Sequence, residues 1–98
     1  MTRTLHLLPR TEAELAEAME WYEERREGLG AELLELARAT FERILEAPHQ
    51  LPSWGVDREY RRLVLERFPY SIIFTYDDAE VHIVAFAHAR RKPGYWHT

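Results

Sequence analysis

The spacing of hydrophobic residues changes halfway along this 98-residue chain. Between residues 11 and 47, apolar residues recur every three or four positions, which is the period of an amphipathic helix. From residue 60 onward they fall in three compact runs rich in β-branched and aromatic residues, which is typical of strands. We therefore expect a helical half followed by a half that forms most of a sheet.

The helical half is predicted to contain two helices. Thr11 followed by Glu14 forms a capping-box pattern that indicates the start of the first helix, which is expected to end near Glu27. The segment Gly28–Gly30 favours a tight reversal, because glycine adopts the left-handed conformation that helix ends require. The second helix is expected to end at Ala47–Pro48, since proline cannot continue a helix. A helical hairpin is the predicted result.

The second half is predicted to form three antiparallel strands, at residues 60–66, 70–76 and 81–87, joined by short turns. A short apolar stretch at residues 5–8 is an additional first strand, which Pro9 is expected to end. The predicted fold class is therefore α+β, with the order β-α-α-β-β-β. Two N-terminal helices are expected to pack on a mainly antiparallel four-stranded sheet.

The last predicted strand has apolar residues on both faces. Val81 and Ile83 point to one side and Val84 and Phe86 to the other, a pattern that favours a strand in the interior of the sheet with cover on each side.

Residues 49–57, between the second helix and the three strands, show no regular spacing of apolar residues and are predicted to form a loop. We expect Leu51 and Trp54 of this loop to pack against the core.

Length and composition indicate the class of protein. A chain of 98 residues is long enough for a single domain, expected here to span residues 1–98. There is no cysteine, so neither a disulfide nor a thiolate metal site is expected. No apolar run approaches the ~20 residues that cross a bilayer, and no basic-then-apolar leader precedes the first strand. We expect a cytoplasmic protein without membrane contact.

Histidine spacing argues against a metal site. His82 and His88 lie on one face of the last strand, but six residues at ~3.3 Å each place them about 20 Å apart. One ion with ligands at ~2 Å cannot bridge that distance. Neither a metal nor another cofactor is expected.

Charge is distributed unevenly along the chain. The net charge of −4 argues against a general nucleic-acid-binding protein. Residues 1–50 hold 11 acidic residues and 6 Lys or Arg, whereas residues 51–98 hold 6 acidic residues and 7 Lys or Arg. Cationic chemistry therefore belongs to the second half.

The most distinctive cationic cluster follows the last strand. The run that ends at Ala87 continues into His88, Arg90, Arg91 and the pair Tyr95-Trp96. Guanidinium groups beside aromatic rings suit a phosphate-bearing or acidic partner. Two ordinary roles remain open: the basic tail can pair with the protein's own acidic helices, and the two rings can pack against the first helix.

These residues, together with others along the chain, resemble a known family. The hairpin with Trp21-Tyr22 and Gly28-Leu29-Gly30, then Tyr60-Arg61, the turn Arg67–Tyr70 and the ending from His88 through Arg91, Pro93 and Tyr95 to Trp96 resemble the RelE/ParE superfamily of toxins. The likeness spans residues 5–96. Both the Arg-Phe-Pro-Tyr turn and the ending are more similar to ParE and its plasmid-stabilisation relatives.

The resemblance implies the toxin of a type II toxin–antitoxin pair, whose sheet carries the functional surface and whose antitoxin covers it. ParE-like members arrest growth by inhibiting DNA gyrase and are not nucleases, whereas RelE-like members cleave mRNA on the ribosome. A third possibility is a member that has lost toxicity and only binds the antitoxin. A homodimer and a toxin–antitoxin hetero-oligomer both remain open.

Several residues are candidates for these roles. Trp21 and Tyr22 are the antitoxin-binding candidates, and because adjacent helical side chains diverge by about 100° only one can point fully into the core. Arg61 and Arg62 alternate between strand faces, so at most one shares a surface with a given neighbour. Candidates for contact with a target are Arg61, Arg62, Arg67, Arg90, Arg91, Tyr95 and Trp96.

A ribonuclease would need a base, an acid and cations around the phosphate. Its candidate catalytic residues are Arg61, His88, Arg90 and Tyr95. Cleaving relatives carry a cationic residue on the strand after the turn, where this chain has Ser71 and then Ile72. The gyrase-inhibiting function is therefore favoured over mRNA cleavage.

Overall fold

The computed structural model describes residues 3–53, 59–92 and 94–97. It confirms the predicted α+β class and element order. The elements are β1 (Thr4–Leu7), α1 (Pro9–Arg25), α2 (Leu29–Glu46), a 3-10 turn (Pro48–Gln50), β2 (Arg61–Val64), β3 (Tyr70–Tyr76), β4 (Glu80–His88) and a second 3-10 turn (Tyr95–His97). Trp54 and Pro93 lie outside the described residues.

The sheet has the strand order β1-β4-β3-β2. β1 pairs with β4 in parallel, while β2 with β3 and β3 with β4 are antiparallel. The α1–α2 hairpin and the strands that follow it supply the long connection that a parallel pair requires. β4 therefore lies inside the sheet, as its two apolar faces predict.

A β-bulge in β4 corrects the expected assignment of its faces. Ile73 pairs with Ala85 but the next residue, Phe74, pairs with Ile83, so Val84 is the extra residue. The bulge returns Phe86 to the side of Val81 and Ile83, where all three belong to the main core beneath the helices. Phe86 was expected on the opposite face.

Two hydrophobic clusters cover the sheet. The main cluster lies between the sheet and helices α1 and α2, and Leu51 packs at its margin as expected. The smaller cluster consists of Ile73, Ala85, Ala87 and Trp96, with Tyr60, Val84 and Tyr95 packed around it. Because strand side chains alternate, this second cluster covers the opposite face of β3 and β4.

The start of α1 differs from the prediction. The helix begins at Pro9, since proline at the first helical position lacks only an N–H that would be unpaired anyway. Thr11 is fully buried, and its Oγ1 donates to the Ile83 carbonyl oxygen over 2.7 Å. Glu14 accepts the Phe86 N–H over 3.0 Å. The predicted capping box is wrong, because both side chains bond to β4 instead.

The reversal between the helices depends on two glycines. α1 ends at Arg25, two residues before the predicted end, and Gly28 has a φ of 90°, in the left-handed region. A Cβ on Gly30 would lie 2.7 Å from the Met19 carbonyl oxygen, so the helices approach too closely there for any side chain. The Glu23 carboxylate accepts the N–H groups of Gly28 and Gly30 at 2.9 and 3.0 Å, which satisfies the first turn of α2.

Candidate partner-binding and target-binding site

A cleft of about 350 Å³ lies between α1 and the adjoining ends of β3 and β4. One helix face, two strand ends and the segment after β4 contribute its lining. The lining residues are Glu14, Glu17, Ala18, Trp21, Tyr22, Tyr70, Phe86, His88 and Arg91.

The α1 wall of the cleft is one face of the helix. Glu17 and Ala18 each lie three or four residues from both Glu14 and Trp21, so the four residues share one side of the helix. Glu17 is exposed, and its carboxylate makes no hydrogen bond or ion pair with any residue that the structure describes. Trp21 is 49% exposed. This wall is open to a partner.

Aromatic rings form the floor. Tyr70 stacks on Phe86 with ring centroids 4.6 Å apart, and Tyr22 meets Phe68 edge-on at 5.0 Å. Tyr22 thus packs inward while Trp21 points outward, as the divergence of adjacent helical side chains predicts. Burial raises the pKa of Tyr70, and Tyr22 and the negative charge of Glu17 raise it further. The Tyr70 hydroxyl therefore stays neutral at physiological pH.

Tyr95, in the segment after β4, contacts two of the residues that line the cleft, Glu14 and Arg91. The Tyr95 hydroxyl donates to Glu14, and the Arg91 and Arg10 guanidinium carbons lie 4.0 and 6.0 Å from the centre of its ring. Burial and then the hydrogen bond to the Glu14 carboxylate raise the pKa of Tyr95 well above its usual range. Packing against the first helix, one of the two roles left open, is the one observed for Tyr95.

Trp96 follows Tyr95 into the fold. It is 8% exposed, and its ring meets Tyr60 edge-on with centroids 5.7 Å apart. Its ring belongs to the small cluster beneath the sheet. A ring buried in this way presents little surface for stacking on a nucleic-acid base.

The cationic residues after β4 remain accessible. Arg90 and Arg91 are exposed, and Arg91 is one of the residues that line the cleft. The Arg90 N–H donates to Nδ1 of His88 over 3.0 Å, so the proton of a neutral His88 ring lies on Nε2. The structure thus brings together His88, Arg90, Arg91 and Tyr95.

The other predicted arginines lie elsewhere, and none of the three lines the cleft. Arg61 donates to the carbonyl oxygens of Leu51 and His49, and its guanidinium lies 5.3 Å from the Tyr76 ring centre. These contacts hold the segment after α2 against the sheet. Arg62 pairs with Ile73 in the β2–β3 ladder, so it projects from the sheet face opposite to Arg61.

Arg67 lies in the turn between β2 and β3, with a φ of 67°. It forms an ion pair with Glu32 over 2.9 Å, and Glu32 also pairs with Arg26 over 3.0 Å. The Arg67 hydrogen bond lowers the pKa of the Glu32 carboxyl. Arg67 thereby connects the turn to α2.

One candidate nuclease residue, Arg61, is separated from the other three. Arg61 pairs with Phe74 and His88 pairs with Tyr70, four residues along β3, which corresponds to roughly 13 Å. In addition, Nδ1 of His88 already accepts a hydrogen bond from the Arg90 N–H, so this nitrogen is not available to accept a proton from a substrate. The geometry therefore does not place Arg61 around one phosphate together with His88, Arg90 and Tyr95.

Histidines elsewhere form a pair that spacing along one strand did not predict. His82 stacks on His6 of β1 with ring centroids 5.0 Å apart, and both rings contact the Glu80 carboxylate. Among residues 3–53, 59–92 and 94–97, no group of three or more His, Cys, Asp or Glu is arranged to hold a metal ion. Neither helix in these ranges is long and apolar enough to span a bilayer.

Sequence reasoning did not identify Glu14, Glu17 or Tyr70 as parts of a site. Glu14 was assigned to a helix cap, and Glu17 is one of many acidic residues on α1. The sequence does contain a pattern that could have indicated this wall of the cleft: Glu14, Glu17 and Trp21 are spaced by three and four residues, so they share one helix face.

Comparison with known proteins identifies a matching family and a matching fold. A family model described as the ParE toxin of the type II toxin–antitoxin system parDE matches residues 5–93. A solved structure entitled "Chromosomal ParDE TA system from P. aeruginosa" matches with a TM-score of 0.76 and 18% identity, covering 89% of this chain and 96% of that chain. At this identity the match shows a shared fold. No curated protein matches this chain in sequence.

Proposed function

The chain belongs to the ParE toxin family of type II toxin–antitoxin systems, and from this premise we propose that it arrests growth by inhibiting DNA gyrase and is neutralised by a cognate antitoxin. The observation that carries the proposal is the exposed pair Arg90 and Arg91 at the end of β4, where Arg91 stacks on Tyr95. A stacked guanidinium is suited to a defined contact with an acidic or phosphate-bearing surface.

The proposed target contact is narrower than the set of residues predicted from sequence. Arg61 and Arg67 are engaged in contacts within the protein, and Trp96 is buried. We therefore assign contact with gyrase to Arg90 and Arg91, with Tyr95 holding Arg91 in place. The separation of Arg61 from His88 makes mRNA cleavage the weaker hypothesis.

Neutralisation is proposed to work by covering the same region. The lining of the cleft beside α1 includes both the exposed Trp21 and Arg91. A helical or extended antitoxin segment seated in the cleft would bury apolar surface and cover Arg91. The antitoxin and gyrase would then compete for one end of the molecule.

A supercoiling assay with purified gyrase tests the target. We expect the wild-type protein to inhibit supercoiling and the double variant Arg90→Ala/Arg91→Ala to lose at least about tenfold in potency, since two charged contacts are removed. The matched control is Arg38→Ala/Arg43→Ala, which removes two exposed arginines from α2 and should inhibit like the wild type. Normal supercoiling in the presence of the wild-type protein would refute gyrase inhibition.

Two further measurements separate the alternative functions. Cleaved transcripts in translating ribosomes supplied with the purified protein would favour the RelE-like nuclease, and we expect them to stay intact. Induced expression should arrest growth, whereas unaffected growth would favour a non-toxic module that only binds an antitoxin.

A further inference from the structure

The two ends of the cleft differ in charge. His88 and Arg91 lie at the β4 end, whereas the α1 wall carries Glu14 and Glu17. Both Glu14 oxygens are occupied, one by the Phe86 N–H and one by the Tyr95 hydroxyl. Glu17 is therefore the carboxylate of this cleft that has no partner among the described residues.

Glu17 lies beside aromatic rings. Glu17 and Tyr70 line the same cleft, and the negative charge of Glu17 contributes to raising the pKa of Tyr70. Tyr22 and Trp21 line the same part of the cleft. A carboxylate next to several aromatic faces is an environment that attracts a guanidinium or ammonium group, since ring faces and the carboxylate both carry negative potential.

Aromatic rings of this region already bind the protein's own arginines. The Arg25 guanidinium carbon lies 3.4 Å from the Trp21 ring centre, and Arg91 lies 4.0 Å from that of Tyr95. Tyr22 and Tyr70 have no such cation within the part of the chain that the structure describes. The cleft that both tyrosines line with Glu17 therefore has space for a cation from another molecule.

The charge of the helical half favours the same kind of occupant. Residues 1–50 carry 11 acidic residues against 6 Lys or Arg. Glu20, which lies three residues after Glu17 on α1, is exposed as well. An acidic segment approaching α1 would be repelled, while a basic segment would be attracted and oriented.

We propose that the α1 half of this cleft receives an arginine or lysine side chain from the antitoxin, paired with Glu17 and stacked on the rings of Tyr22 and Tyr70. The inference deepens the proposed function and rests on its antitoxin. The antitoxin segment that covers α1 is therefore expected to be basic. Beside its arginine or lysine it is expected to carry an apolar side chain that covers Trp21.

The test uses blocked pentapeptides as probes, with a central arginine, citrulline or glutamate flanked by leucine and alanine. Binding to the whole protein is followed by NMR through the indole resonance of Trp21. We expect the arginine peptide to bind about fivefold more tightly than the neutral citrulline peptide, a difference that corresponds to about 1 kcal/mol. Binding of the arginine peptide should also lower the pKa of Tyr70 in an alkaline titration.

Paired variants assign the effect to the cleft. Glu17→Gln should abolish the preference for arginine over citrulline, while Glu24→Gln, which removes the same charge from an exposed site outside the cleft lining, should retain it. Equal binding of all three peptides, no detectable binding, or a preference for glutamate would overturn the inference. The assay contains no gyrase, so failed gyrase inhibition with an intact arginine preference would refute the proposed target alone.

Discussion

At the scale of single residues, Glu14 organises the candidate site. Its two oxygens accept the Phe86 N–H of β4 and the hydroxyl of Tyr95. The ring of Tyr95 in turn supports the Arg91 guanidinium. One carboxylate therefore fixes the orientation of the cationic end relative to the helix.

Removing the Tyr95 hydroxyl should destabilise the protein. We expect Tyr95→Phe to lower the free energy of unfolding by about 1 to 2 kcal/mol at neutral pH, because a half-buried hydrogen bond to a charged acceptor is lost. The measurement is urea unfolding. The control is Tyr76→Phe, since the Tyr76 hydroxyl makes no hydrogen bond to a described residue. Equal midpoints for the two variants would contradict the assigned role.

The same hydroxyl gives a pH dependence with a defined sign. The pKa of Tyr95 is raised in the folded protein, so its contribution to stability is complete below the ordinary tyrosine pKa of about 10. The contribution is lost as the pH rises above that value. Wild-type stability should therefore fall more steeply above about pH 10 than that of Tyr95→Phe, and parallel curves would show that the bond does not form.

At the scale of elements, α1 continues the pairing that β1 begins along β4. The ladder between β1 and β4 ends with Leu7 opposite Ile83, and the Leu8 N–H donates to the Ile83 carbonyl oxygen. Thr11 and Glu14 then bond to Ile83 and Phe86. Beyond the end of β1, side chains of α1 thus supply the hydrogen bonds that a longer β1 would make with β4, because buried backbone groups need partners. The cleft opens where this replacement ends.

Thr11 provides the test of that packing. Thr11→Val should lower the free energy of unfolding by about 1 kcal/mol, a modest value because the Ile83 carbonyl oxygen keeps the Leu8 N–H. Thr40→Val is the matched control, since Thr40 bonds only within its own helix, to the Leu36 carbonyl oxygen. We expect the control to change stability by less than about 0.5 kcal/mol. A larger loss for Thr40→Val would contradict the special role of Thr11.

At the scale of the whole molecule, an acidic helical layer lies beside a cationic strand end, and the cleft contains their boundary. Under the proposals above, one surface would recognise a basic antitoxin segment through Glu17, while the neighbouring surface would contact gyrase through Arg90 and Arg91. An antitoxin seated in the cleft would then bind beside the gyrase contact and cover Arg91.

A charge reversal at Glu17 should separate the two functions. Cells that express Glu17→Lys together with the cognate antitoxin should stay arrested, because the basic segment is repelled. The control Glu24→Lys should be rescued like the wild type. Equal rescue of both variants, or loss of toxicity by Glu17→Lys alone, would contradict the division of surfaces.

The elements of this fold could be predicted because their signals are local. Apolar residues at spacings of three and four mark α1 and α2, and the two apolar faces of β4 identify it as an interior strand. The divergence of Trp21 and Tyr22 follows from helix geometry alone. The family resemblance was also readable, because it depends on the order of short motifs along the chain.

The contacts between elements could not be read from spacing. Thr11 and Glu14 match a capping box within α1, yet their partners on β4 are 72 residues away. Arg61 and Arg90 look equally cationic in the sequence, but only the fold engages the first with the carbonyl oxygens of His49 and Leu51 and leaves the second exposed. The sequence by itself determined the helices, the strands and their order, because backbone preferences and hydrophobic periods act over a few residues. Only the tertiary structure decided which charges face solvent and which carboxylate of the cleft has no hydrogen-bond or ion-pair partner among the described residues, because hydrogen bonds and burial depend on residues that folding brings together.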